Sequence, residues 1–420
     1  MNNYFEKLQQ QVCKYNSRYP ENPKKVALKL IWWNLKSVLF STRKGRKILK
    51  KNEKIIDFLP TWIKITDNNG NNVTRNYQDY IQNFKVPQIP HGGHMYFDID
   101  KLLKLKPQIK KIGLVFFMGM GDYFYATNFI EILHRKYPQL ILEAFVSSNF
   151  DLNNSPLVAV LLEKNPFISK ISYFNGHRNF EGWKNYDWSD CYNMCGDDEI
   201  LIPMIYEHNE FVPSRTDTLC RTFNLPVPKI NPYPIIYDYP ASNSVKNLFE
   251  KYKLQMQKVV FIQMTTRSSN FTYPYIDKIL EYLLEAGYFV ICVEKTEIKN
   301  KNLLVLDIKK FNINETISLL KLIKENKISI CFLTIMSVFA SVSSALKIPN
   351  LAMQHLYDPC ISTVYYSNIY MITDRYYRQI PSDRQYIIPE KYIERLENNS
   401  RFIYSPEILI SCFDDFIKKI

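Results

Sequence analysis

Residues Phe117–Phe129 read FMGMGDYFYATNF and follow the apolar run Ile112–Phe116. A buried strand, a glycine-bearing turn and an acidic residue at the start of an amphipathic helix is how α/β enzymes build a ligand site. Gly119 and Gly121, with Met120 between them, allow a sharp turn and close backbone approach to a ligand. Asp122 stands where strand gives way to helix. A carboxylate there is either a helix N-cap or a general base aimed into a cleft. The base reading is the one adopted: a hydroxyl nucleophile must lose its proton as it attacks, and a carboxylate in a cleft can accept it.

A second group lies beyond the strand expected over Val259–Gln263. Thr265, Thr266 and Arg267 form a strand-to-loop corner whose hydroxyls and backbone N–H groups suit a pyrophosphate. Arg267 can offset the charge that grows on a departing diphosphate. Ser337 opens a helix after a buried strand, where free N–H groups and the helix dipole favour phosphate. The small residues behind it, Ala340, Ser341, Ser343, Ser344 and Ala345, read as close helix–sheet packing. Glu294 ends a strand and Glu297 follows it. Either can accept hydrogen bonds from ribose hydroxyls, or be a solvated loop charge. His355 is a further candidate at a strand end. His91 with His94 (HGGH) and Cys191 with Cys195 (CYNMC) supply two ligands each, too few for a metal site. No metal and no cofactor are expected.

These residues need elements to hold them. Strands are expected over Ile112–Phe117, Leu140–Val146 and Ile168–Phe174, with helices over Tyr123–Lys136, Ser155–Lys164 and about Ser214–Phe223. Pro226–Pro240 carries five prolines and reads as a crossing between domains. A second unit starts at Lys258. It has strands over Val259–Gln263, Tyr288–Glu294, Leu303–Asp307, Ile328–Leu333 and Asn350–Gln354, and a polar loop over Thr265–Tyr273. Its helices are Pro274–Ala286 (closed by Gly287), Asn314–Glu325 and Ser337–Leu346. Ser405-Pro406-Glu407 opens a terminal helix to Lys419. Short apolar strands alternating with helices imply parallel sheets. The boundaries that follow are 1–105 for a basic, mostly helical extension, 106–240 and 241–400 for two Rossmann-like domains, and 401–420 for a terminal helix.

The 420-residue chain carries a net charge of +13, which favours anionic partners. No nucleic-acid motif is visible, so nucleic acid is not expected. No stretch is long and apolar enough to span a bilayer, and Met1–Tyr15 is too polar for a secretory signal. Residues 1–58 hold fourteen Lys and Arg against four acids. Lys24–Phe40, with Trp32 and Trp33, beside the run Ser41–Lys54, suits an anionic membrane surface, or else is a helix packed on the first Rossmann-like domain with a solvated basic loop. The reading is therefore cytoplasmic, peripheral at the inner membrane.

Four segments resemble glycosyltransferase family 9, the heptosyltransferase-like GT-B enzymes. They are GMGDYFYATNFIEILHRKYP (Gly119–Pro138), LLEKNPFISKISYF (Leu161–Phe174), FIQMTTRSSNFTYPYIDKILEYLLEAGYFVICV (Phe261–Val293) and MSVFASVSSALKIP (Met336–Pro349). The likeness covers about residues 110–420 and rests on order and spacing. Met336 stands where the family signature begins with an acid, Val338 replaces its Gly and Ser341 its His. Asn270 stands where family members often carry Lys, and joins the donor-binding set.

The resemblance implies a GT-B fold, two Rossmann-like domains facing a cleft. It also implies metal-independent, inverting transfer of a hexosyl or heptosyl group, with Asp122 as base. The donor is a nucleotide-sugar, used as co-substrate. The acceptor is a bacterial surface glycan or glycolipid of the lipopolysaccharide type. Two other functions stay open: a protein glycosyltransferase of the same fold, and a non-catalytic relative that binds glycan or scaffolds a complex.

Overall fold

The computed structural model describes residues 99–420, with interruptions at 106, 117–119, 148–158, 175–193, 195, 197, 205–215, 217–218, 221–224, 227–232, 238–239, 267–270, 308–311, 355–365, 375–379 and 397–400. The helix expected over Lys24–Phe40, the basic run after it, His91, His94, Gly119, Cys191, Cys195, Arg267, Asn270 and His355 lie outside the described residues.

The first domain is a parallel sheet built on β1 (Lys111–Phe116), β2 (Ile141–Ser147), β3 (Ile168–Phe174) and β4 (Glu199–Pro203), ordered β3-β2-β1-β4. The run KIGLVF becomes a central strand because both its faces are covered; all but its first residue are buried. Gly113 is required there. A Cβ at that position would lie 2.5 Å from Leu201 and 2.6 Å from Phe145. Helix α1 (Ile99–Leu105) packs Ile99 into this core, and Lys136 pairs with Asp100 at 3.2 Å. The tail of the expected extension thus joins the first domain's core. Helix α2 (Met120–Lys136) follows β1. Of the helix expected over Ser155–Lys164, the described residues include a π turn, Ala159–Glu163.

The second domain begins with α3 (Asn243–Lys251), capped by Ser242. Its seven-stranded sheet is ordered β13-β12-β11-β10-β5-β8-β9 and parallel throughout. These strands are β5 (Val259–Gln263), β8 (Phe289–Cys292), β9 (Leu303–Val305), β10 (Ile330–Ile335), β11 (Asn350–Met353), β12 (Ile369–Thr373) and β13 (Gln385–Ile387). The stretch expected as a polar loop over Thr265–Tyr273 contains a short antiparallel ribbon, β6 (Thr265–Thr266) with β7 (Phe271–Thr272). Helices α4 (Ile276–Glu285), α5 (Ile313–Glu325) and α6 (Val338–Ala345) connect the strands. Gly287 follows α4 at φ +82, the left-handed conformation that ends helices. Helix α5 opens on a capping box, in which Asn312 and Glu315 each satisfy the other's backbone N–H. After the ribbon β14 (Ile393–Leu396) and β15 (Arg401–Tyr404), α7 (Pro406–Lys419) buries Leu409, Phe413 and Phe416 on the second domain.

Strands β9-β8-β5 run one way from the start of this sheet and β10-β11-β12-β13 the other. The connection order therefore reverses between β5 and β10. In the first sheet it reverses between β1 and β4. Open α/β sheets bind ligands at the carboxyl ends of the strands that flank such a reversal. Among the described residues no helix is long and apolar enough to cross a membrane.

Candidate functional site

The second domain's reversal point is a closed hydrogen-bonded corner. Ser337 caps α6 by accepting the Phe339 N–H at 3.2 Å, and its hydroxyl donates to Gln263 Oε1 at the end of β5. Gln263 Nε2 donates in turn to the Thr265 carbonyl. Thr265 begins β6, pairs with Thr272, and its hydroxyl meets that of Thr272 at 3.5 Å. The ribbon β6–β7 flanks residues 267–270, so Arg267 and Asn270 belong to the segment joining its two strands. Gln263 is the node of the corner and was not singled out from sequence. Its signal was present: a lone polar residue closing the fully buried run VVFIQ.

Glu294 is 5% exposed. Its carboxylate accepts the Met264 N–H, and the Cys292 thiol donates to Oε2 at 3.3 Å. Burial raises its pKa above the ordinary carboxylate value, an effect the Met264 N–H partly offsets. Burial, then the neighbouring carboxylate, pushes the Cys292 thiol up as well. The side chain therefore ties the end of β8 to the end of β5. Glu297, the other ribose candidate, is exposed. The small residues of α6 do what packing demands: Ser343 and Ser344 donate to the Ala340 carbonyl, and Asn350 on β11 donates to Ser343.

Helix α2 starts at Met120, three residues ahead of the expected start. Asp122 is therefore the third helical residue, inside the first turn, and the N-cap alternative is corrected. A carboxylate at this position complements the positive end of the helix dipole. Gly121 also lies in the helix. A Cβ built on it would sit 3.8 Å from Ser341 Oγ and 3.9 Å from Val338 Cα. The first turn of α2 thus rests against the first turns of α6, and the N-termini of two helices from two domains converge.

Residues 123–130 of α2 are all buried, the outer face as well as the inner one. The inner face stacks Tyr123 on Phe116 of β1. The outer face carries Tyr125 into an apolar cluster of the second domain that includes Met336, Tyr366, Ile369 and Met371. Met336, at the position of the family's acid, is 8% exposed in that cluster. An unpaired carboxylate there would be strongly disfavoured. The Pro-rich crossing supports the same contact. Tyr233 stacks on Tyr366 and hydrogen-bonds Ser367, while the Ile235 N–H donates to Thr127 of α2 at 3.0 Å.

No protein-family model matches the sequence, and no curated protein matches it. Solved structures do. A glycosyl transferase family 9 protein from Veillonella parvula aligns with a TM-score of 0.51 at 13% identity, over 74% of this chain and 97% of that one. The ADP-heptose lipopolysaccharide heptosyltransferase II of Escherichia coli aligns with a TM-score of 0.48 at 10% identity, over 74% and 99%. The expected likeness to family 9 is thus borne out at the level of fold, which is GT-B with two parallel α/β domains.

Proposed function

We propose that the protein is a metal-independent glycosyltransferase that moves a sugar from a nucleotide-sugar to a bacterial surface glycan or glycolipid. The observation that carries this reading is the convergence of the α2 and α6 N-termini at the two sheet reversal points. A helix N-terminus favours an anion such as a diphosphate, and here two lie side by side. The fold likeness adds an analogy, since fold alone does not fix activity. In the reaction, Asp122 takes the proton of the acceptor hydroxyl as its oxygen bonds to the anomeric carbon. The bond from that carbon to the diphosphate breaks on the opposite face, so configuration inverts. Arg267, Thr265, Thr266 and the α6 N-terminus meet the charge left on the nucleoside diphosphate, which removes the need for a metal. A thermal-shift screen against a panel of nucleotide-sugars tests the reading. A donor raises the melting temperature, because a ligand bound only by the folded state stabilises it. No shift with any donor overturns the reading.

The acceptor is presented at an anionic membrane face, where Lys24–Phe40 and the cluster Lys44, Arg46, Lys47, Lys50 and Lys51 hold the protein. Each Lys or Arg near such a surface contributes about 1 kcal/mol. The protein is expected to sediment with anionic liposomes at low salt, and reversing those five charges releases it at unchanged melting temperature.

A second reading, a non-catalytic relative that binds glycan, is favoured by two placements: Met336 in the apolar cluster, and Glu294 turned onto backbone. Nucleotide-sugar binding separates it from the first.

A further inference from the structure

Tyr125 stands on α2 one turn below Asp122 and belongs in sequence to the first domain. Its ring, 2% exposed, is buried in the second. Its hydroxyl accepts a hydrogen bond from Ser341 Oγ at 3.3 Å. Ser341 is 1% exposed and lies on α6, whose cap Ser337 donates to Gln263 at the end of β5. The Tyr125–Ser341 bond thus joins the second turn of α2 to α6, whose half-buried cap Ser337 reaches the corner beside Thr265. The apolar contact alone would hold the domains together. The buried hydroxyl pair adds direction: a polar pair inside a cluster is satisfied in one register only.

We infer that Tyr125 is a positioning residue. Through Ser341 it clamps α2 to α6 and fixes the separation between Asp122 and the Gln263–Ser337 corner. The catalytic meaning of the clamp rests on the glycosyltransferase reading; the clamp itself rests on the geometry. Holding a base within reach of a bound reactant governs the chemical step and leaves donor affinity largely alone.

Two measurements decide it. In the first, unnatural residues carrying spin labels replace the exposed Gln139 of the first domain and Glu285 of the second, and their distance distribution is recorded. Tyr125→Phe and Ser341→Ala, which keep ring and backbone, broaden it. An unchanged distribution in both overturns the clamp, whatever activity does. In the second, each variant lowers kcat about fivefold or more, the scale of one lost hydrogen bond. KM for the nucleotide-sugar stays within about twofold, and the double variant is no worse than either single one, because both break one pair. Multiplying effects, or a rise in KM at constant kcat, would also overturn it. If the wild type turns over no donor, the glycosyltransferase reading falls, and the distance distribution alone decides the clamp.

Discussion

At the end of β5 the polar side chains partner one another: Ser337 with Gln263, Gln263 with the Thr265 carbonyl, Glu294 with Met264 and Cys292. At the end of β1 the helix that carries Asp122 is held chiefly by packing, with Gly121 against Val338 and Tyr125 sunk in the other domain beside its partner hydroxyl on Ser341. One reversal point is a hydrogen-bonded scaffold that presents a turn. The other is a carboxylate set on a helix wedged between two cores. A scaffold of interlocked polar groups holds a ligand without changing its own protonation. Under the proposed function, binding falls to the first place and chemistry to the second.

Four substitutions test that division, in order of decreasing effect. Asp122→Asn keeps shape and removes the proton acceptor. Turnover should fall by ~10²–10⁴, the contribution of a positioned base, with donor binding and melting temperature unchanged. Wild-type turnover in this variant would move the chemistry elsewhere. Arg267→Ala should weaken binding of the nucleoside diphosphate product by about 1.5–3 kcal/mol in calorimetry, the scale of a hydrogen bond to a charged group. Equal affinity would show that the ribbon segment does not face the diphosphate. Ser337→Ala loses a helix cap and the bond to Gln263, and should cost about 1 kcal/mol of stability in denaturant unfolding. A loss of turnover without that cost would put Ser337 on the chemical side of the comparison.

The smallest effect depends on pH. Glu294 has a folded-state pKa raised above its ordinary 4.5, mainly by burial. The folded state therefore holds this proton more tightly than the unfolded chain. Its contribution is most favourable below 4.5 and is lost as pH rises through the folded value. Glu294→Gln stays neutral and can still accept the Met264 N–H. Its melting temperature relative to wild type should climb as pH is raised from below 4.5 to neutrality. A difference that stays flat with pH would mean that Glu294 is solvated, as a ribose-binding side chain would be.

Much of this architecture was legible in the chain. Strands β3 and β5 fall where the apolar runs place them, and the Ser337 and Ser405 caps mark their helices. What escaped was decided by distant partners. Strand β4, EILIP, contains an acid and a proline and becomes a strand by pairing with β1. Helix α3 carried a Ser cap and an amphipathic pattern that went unread. Strand β12, IYMIT, was a β-branched run hidden beyond the recognised repeat. The inward turn of Glu294 depends on a backbone N–H thirty residues earlier in the chain. The contact of Tyr125 with Met336 depends on how two domains meet, which hydrophobic periodicity does not encode.

The all-round burial of α2 has a consequence for the birth of the protein. Ser341 is 216 residues behind Tyr125 in the chain. At ~5–20 residues per second, the ribosome needs roughly 10–40 s to supply it. The last strand of the first sheet, β4, ends at Pro203, so the sheet is complete well before Ser341 arrives, yet one side of its central helix remains an uncovered apolar face. A nascent chain stalled in the Pro-rich crossing offers that face to chaperones. The N-terminal half is made first and finished last, when strands from the far end of the message arrive to cover it.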